Sequence, residues 1–201
     1  GTIGGNFTLR DFNDAGNVLY SSNVPGTTSG QALFIRNAST GETQLVFSRG
    51  MSPWPGTQLE TTQQALMNAN GKVAFLANLT GQQGGLAWFL GAAGEAPVKI
   101  AADGDAAPGG GKFAFAGRIN GPLINANGQV AFLADVREAN ATGLFWWAPG
   151  GDVQAVMTTN DDLPEGANTV LRAGPPISSD TETLVRAYQA GGSITYYAVS
   201  L

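Results

Sequence analysis

The chain has 201 residues, enough for one large domain or a short repeat array with a sizeable core, and it contains no histidine and no cysteine. Those absences exclude disulfides, thiolate metal sites and the Ser-His-Asp or Cys-His arrangements of nucleophilic catalysis. Charged residues are only 12% of the chain, the net charge is −5, and the three lysines (Lys72, Lys99, Lys112) build no basic stripe for nucleic acid or an anionic membrane.

In chain order, the segment TIGGNFTLRDF leads to the turn Asn13-Asp14-Ala15-Gly16 and the run NVLYSSN. ALFIRN (32–37), TQLVFS (43–48) and the loop Gly50-Met51-Ser52-Pro53-Trp54-Pro55-Gly56 follow. The stretch LETTQQALMNANG (59–71) has helix-compatible composition with Gly71 as a C-cap, but its place in the pattern predicts an extended segment. Then come Asn68-Ala69-Asn70-Gly71, KVAFLANL, LAWFLG (86–91), PVKIAA (97–102) and the loop Gly104-Asp105-Ala106-Ala107-Pro108-Gly109-Gly110. A third cycle runs Asn125-Ala126-Asn127-Gly128, QVAFLADV, LFWWAP (144–149), VQAVMT (153–158) and the loop 160–166. A degenerate fourth holds Ser178-Ser179-Asp180-Thr181, ETLVRAY and ITYYAV (194–199).

The turns at Asn13, Asn68, Asn125 and Ser178 are 55, 57 and 53 residues apart, and MNANGKVAFLANL (67–79) matches INANGQVAFLADV (124–136) at nine of thirteen positions. Asn-x-x-Gly is turn chemistry: asparagine bonds its own backbone and glycine takes φ > 0 without steric cost. Alternation in KVAFLANL leaves both faces largely apolar, as in strands buried between stacked sheets. Val18, Val73 and Val130, and likewise Tyr20, Phe75 and Phe132, are expected in equivalent buried places. The predicted fold is all-β: a single β-propeller-like domain over 1–201, built of four roughly four-stranded repeats (1–55, 56–109, 110–165 and an incomplete 166–201).

The phrase N-x-N-G-x-V-A-F-L-A, followed by Gly-Leu before aromatic residues and by G-D-x-A-P-G-G, resembles a bacterial exported family. That family is described by tandem NxxGxxxF repeats and often ends in a PEP-CTERM-type or other sorting anchor. The resemblance covers roughly residues 1–166. It implies an exported or surface propeller-like protein at the cell surface or outside the cell, and it supplies no catalytic residues.

Candidate ligand contacts lie in the Pro-Gly loops. Trp54 either stacks on a glycan or partner, or folds back over its own sheet. Asp105, Asp161 and Asp162 are loop carboxylates that serve either a ligand or their own turns. Met51 stands where Asp105 recurs, which argues against a repeated catalytic role. No cofactor is expected; calcium is the one metal these carboxylates leave open, although the D-x-[DN]-x-[DN]-G loop is absent. Four Asn-x-Ser/Thr sequons begin at Asn6, Asn37, Asn78 and Asn140, with Asn78 and Asn140 expected in loops just after a strand. The last strand carries Ile194, Tyr196, Tyr197, Val199 and Leu201 without lysine or proline, so it reads as an unguarded edge covered by an added strand. The N-terminal segment TIGGNFTLRD is the candidate cover, from the same chain or a neighbour. Together these features suggest a non-enzymatic, self-assembling surface coat, matrix or filament subunit. A carbohydrate-binding module that uses loop aromatics is the alternative.

Overall fold

A computed structural model describes residues 7–23, 31–81, 84–115 and 122–159, and, by their strands alone, 170–173, 182–188 and 194–200. The described residues form sixteen strands and no α-helix. The chain divides into two compact units, 1–102 and 103–201.

The first unit holds two antiparallel sheets. Sheet 1 runs β1 (Phe7–Phe12), β2 (Val18–Asn23), β3 (Gln31–Arg36) and β4 (Thr43–Ser48) in sequential order. Sheet 2 repeats that order with β5 (Thr57–Met67), β6 (Val73–Gly81), β7 (Gly85–Gly91) and β8 (Val98–Ala102). The segment with helix-compatible composition is β5: pairing with β6 overrides its propensity.

In this unit both β1–β2 type connections are tied by the same cage. In the first, Gly16 N–H donates to Asn13 C=O at 2.8 Å, Asn13 N–H to Asn17 C=O at 3.1 Å, and Asn17 N–H to Asn13 Oδ1 at 3.0 Å. Asn68 repeats all three bonds with Gly71 and Lys72, at 3.1, 2.9 and 2.9 Å. Gly16 and Gly71 sit at φ 77° and 78°, where any side chain is strained. The Asn-x-x-Gly signature thus sets the hairpin that feeds each central strand.

The core of this unit lies between the sheets. Leu19, Leu33, Ile35 and Phe47 of sheet 1 cluster with Val73, Phe75, Ala77, Leu79 and Phe89 of sheet 2. Phe47 and Phe75 meet at 5.7 Å between ring centroids. Strand alternation makes this the inner face of sheet 1. Strand β5 carries two register shifts, between Leu59 and Thr62 and between Thr62 and Gln64. Such bulges leave ladder groups unpaired, and sheet 1 supplies the missing partners. Thr62 N–H donates to Gln31 Oε1 at 2.7 Å, while Arg10 donates to Thr62 C=O at 3.3 Å and to Gln63 C=O at 3.2 Å. Asp11 accepts Met67 N–H at 2.7 Å, and Asn13 Nδ2 donates to Asn68 C=O at 3.1 Å. A polar seam therefore fixes the register of the stacked sheets beside an apolar core.

The second unit begins with β9 (Lys112–Ala114) and β10 (Leu123–Ile124), which both pair with β11 (Val130–Arg137). β12 (Ala141–Trp147) and β13 (Gln154–Thr158) complete sheet 3. Its Asn125–Gly128 turn repeats the cage of the first unit, with Gln129 N–H on Asn125 Oδ1 at 3.0 Å. Sheet 4 is β14 (Val170–Ala173), β15 (Glu182–Tyr188) and β16 (Ile194–Ser200), in that order.

A bulge recurs at one place in three sheets. The ladder shifts between Leu33 and Phe34, between Trp88 and Phe89, and between Leu144 and Phe145. The extra residues are Val46, Ile100 and Val156, all β-branched. The repeat is therefore one of backbone irregularity as well as of sequence, and the extra residue locally increases sheet twist.

Two expectations change. Val73 and Val130 are fully buried, but Val18 is only partly buried, next to the exposed Phe12, while Tyr20, Phe75 and Phe132 are all buried as expected. Asn78 lies inside β6 rather than in a loop, because β5 extends far enough to pair β6 through Gly81.

Candidate interaction surface

The Pro-Gly loops are built by backbone bonds. Gly50 N–H donates to Leu59 C=O at 2.8 Å and Leu59 N–H to Met51 C=O at 2.9 Å. In the next loop, Gly104 N–H donates to Phe113 C=O at 3.0 Å and Phe113 N–H to Asp105 C=O at 2.9 Å. Met51 and Asp105 thus hold the same place through their carbonyls, so this bond does not depend on the side chain. Asp103 accepts Phe115 N–H at 2.7 Å. Among the described residues no three acidic side chains gather as a metal site. Asp161 and Asp162 lie outside the described residues.

Trp54 is half-buried against the core of the first unit. Its ring stacks on Phe89 at 6.0 Å, and Lys99 Nζ lies 5.3 Å from its centroid. Phe89 and Lys99 are cross-strand partners, so the indole covers one pair on one face of sheet 2. Its Nε1 is buried without a hydrogen-bond partner. A shallow polar cleft of about 280 Å³ opens nearby, lined by Ser52, Gly56, Thr57, Gln58, Thr80 and Gly81. Trp54 is not in its wall.

The sequons fall in different settings. Asn37 Oδ1 accepts from Ser39 N–H, Ser39 Oγ and Thr40 N–H, which makes it a turn-forming side chain. Asn78 Nδ2 donates to Thr61 Oγ1, and its Oδ1 accepts from Gln63 at 3.2 Å. Asn140 is exposed in the β11–β12 turn at φ 47°. Asn6 lies outside the described residues. Of the expected edge positions, Ile194, Tyr196, Tyr197 and Val199 belong to β16, which is at one end of sheet 4, and Leu201 lies outside the described residues. Residues 7–10 of the proposed cover are already hydrogen-bonded to β2 as part of β1.

The feature not anticipated from sequence is the other side of sheet 1. Tyr20 faces Phe34 across β2 and β3, Leu9 faces Tyr20, Leu45 faces Phe34, and Phe12 faces Val18. These residues share one face, opposite Leu19, Leu33 and Ile35. Phe7, Leu9 and Phe12 on it are 72%, 60% and 70% exposed. By register, sheet 2 has Ala65 and Met67 where sheet 1 has Leu9 and Phe12, and there they are 7% and 6% exposed. The same repeat face is thus buried at Ala65, Met67, Phe75 and Phe89 in sheet 2, whereas in sheet 1 Tyr20 and Ser22 are buried and the strands on either side, β1 at Phe7, Leu9 and Phe12 and β4 at Leu45, are open.

Residues 5–195 match a family described as a family of unknown function (DUF7453). The chain belongs to this family. No curated protein and no solved structure matches it. The match takes in sheets 1, 2 and 3 whole and ends at the start of β16 in sheet 4, so the recurring turns, bulges and aromatic pairs fall within the family's extent.

Proposed function

We propose that this protein is a non-enzymatic, exported structural repeat protein that assembles by packing sheet on sheet, as a subunit of a surface coat, matrix or filament. The observation that carries this reading is the open face of sheet 1. Three large apolar side chains stand mostly in water on one face, beside the half-buried Phe34. Clustered exposure of this kind marks interaction surfaces, whereas scattered apolar residues do not. Low charge density supports the same reading, since it puts little repulsion between copies. The absence of histidine and cysteine supports a non-enzymatic role, and the family resemblance of the repeat phrases supports export. The sequential meanders suit propeller-like blades.

The glycan-binding alternative has less support, because the Trp54 ring is already engaged by Phe89 and Lys99. Electron microscopy of purified protein, with no ligand added, tests assembly. Particles or filaments that grow with concentration are expected, and monomers at every concentration contradict the proposal.

A further inference from the structure

We infer that β1 is a self-pairing edge: it joins β1 of a second copy, antiparallel about a two-fold axis at Thr8, so that two copies of sheet 1 become one continuous sheet. This rests on the self-assembly reading and names the contact that begins it. β1 stands at the end of sheet 1, and among the described residues Phe7, Thr8 and Leu9 pair with β2 alone. All three are exposed, although consecutive residues of a strand point to opposite faces, so this stretch is open on both faces. β5, the first strand of sheet 2, is answered differently. Thr62 and Ala65 stand where β1 has Phe7 and Leu9, and they are 4% and 7% exposed. Side chains of sheet 1 also bond the backbone of β5 at Thr62, Gln63 and Met67.

Free edges are commonly guarded by lysine, proline or charged side chains. β1 holds neither lysine nor proline, and its two charges are engaged within the unit. Arg10 donates to Ser21 Oγ at 3.0 Å and to the carbonyls of Thr62 and Gln63, and Asp11 accepts from Met67 N–H. The bulge after Leu9 limits the regular stretch to Phe7–Leu9. That stretch is self-complementary. An axis at Thr8 sets Phe7 opposite the second copy's Leu9, and Leu9 opposite its Phe7, on one face, with Thr8 opposite Thr8 on the other. Apolar and Thr–Thr cross-strand pairs stabilise a ladder, and strand addition at an edge supplies main-chain hydrogen bonds as well. An axis at Leu9 would instead set Phe7 opposite Asp11 and Thr8 opposite Arg10. A two-fold contact closes at two copies. It also doubles the apolar strip of Phe7 and Leu9, and the joined strip is the larger surface from which sheet-on-sheet packing continues.

The chain has no cysteine, so an introduced thiol is its only one. A Thr8→Cys variant is treated with a short bis-maleimide beside a Thr43→Cys control on β4, the other end of sheet 1, where Thr43 is also exposed. Cross-linked dimer from Thr8→Cys should exceed that from Thr43→Cys at least tenfold. It should fall at least tenfold when Leu9→Glu is added, because a carboxylate then meets the second copy's Phe7. Equal cross-linking of the two variants would overturn the contact. Mixed dimer above either variant alone would mean β1 on β4 and would overturn the two-fold pairing. Assembly of the unsubstituted chain by light scattering, without excess cross-linking at position 8, would overturn the edge contact while leaving the self-assembly reading standing. Monomeric scattering at all concentrations would remove both.

Discussion

Phe75 and Phe89 face one another across β6 and β7 with ring centroids 5.4 Å apart, and two other sheets repeat the pair. Tyr20 meets Phe34 at 5.5 Å, and Phe132 meets Phe145 at 5.9 Å. All three pairs are near-parallel, at interplanar angles of 25°, 20° and 28°. Cross-strand aromatic pairs stabilise a sheet beyond their buried area. What differs between the copies is burial. Phe89 and Phe145 are fully buried, and Phe34 is only partly buried.

That difference sets a stability contrast. Phe75→Ala should cost about 3–5 kcal/mol, the range for truncating a packed aromatic residue. Phe34→Ala should cost less in dilute protein, because Phe34 is only partly buried whereas Phe75 is fully buried. Urea unfolding of the two variants at low concentration measures both values, and equal losses would contradict the assignment of an open face.

The turn cage makes a second contrast. Asn68 is 5% exposed, and its Oδ1 accepts Asn70 N–H at 3.0 Å and Lys72 N–H at 2.9 Å. Asn68→Ala removes that acceptor from two backbone donors and should cost about 1–3 kcal/mol. Asn68→Asp keeps an acceptor oxygen and should retain more stability than alanine. Thermal melts order the three proteins, and alanine equal to wild type would refute the cage as a stabilising element.

The bulged β5 gives a more local prediction. Gln31 accepts the Thr62 amide, and Arg10 donates to the carbonyls of Thr62 and Gln63. Gln31→Ala should lower stability by about 1–3 kcal/mol and speed hydrogen exchange at Thr62. Arg10→Ala should act at the same place, so the double variant should lose less or more than the sum of the singles by at least 0.5 kcal/mol, on the order expected for groups sharing one network. Unchanged exchange at Thr62 in Gln31→Ala would show that the bond is not made in solution.

Much of this architecture is legible in the sequence, for a physical reason. Asn-x-x-Gly fixes a turn by chemistry that needs no tertiary context, so Asn13, Asn68 and Asn125 place three hairpins. The β5 strand is legible from its place in the repeat, against its composition. Coverage is not legible. Phe12 and Met67, or Leu9 and Ala65, are all apolar residues at equivalent register positions, and nothing local distinguishes a face under another sheet from one in water. Asn78 looks like a loop residue because neither bulge in β5 has a sequence signature, although β5 carries the pairing through Gly81. Trp54 in SPWPG allows either an exposed or a folded-back ring. The choice is made by Phe89 and Lys99, which are distant in sequence.

Trp54 therefore acts through packing. Trp54→Ala should cost about 1–3 kcal/mol, below the full core value because the ring is half-buried. Trp54→Phe should stay within about 1 kcal/mol of wild type, since the indole N–H has no partner to lose. Chemical denaturation checks both, and an unaffected alanine variant would mean that the stack on Phe89 contributes nothing.

Self-association through the open face of sheet 1 is tested most directly by sedimentation velocity over a hundredfold concentration range. Wild type is compared with a Leu9→Glu, Phe12→Glu double variant. Both positions are mostly solvent-exposed, so the variant should fold and melt like wild type. Wild type should shift to faster-sedimenting species as concentration rises, while the variant stays at the monomer coefficient throughout. A wild type that stays monomeric, or a variant that associates just as strongly, would contradict the claim.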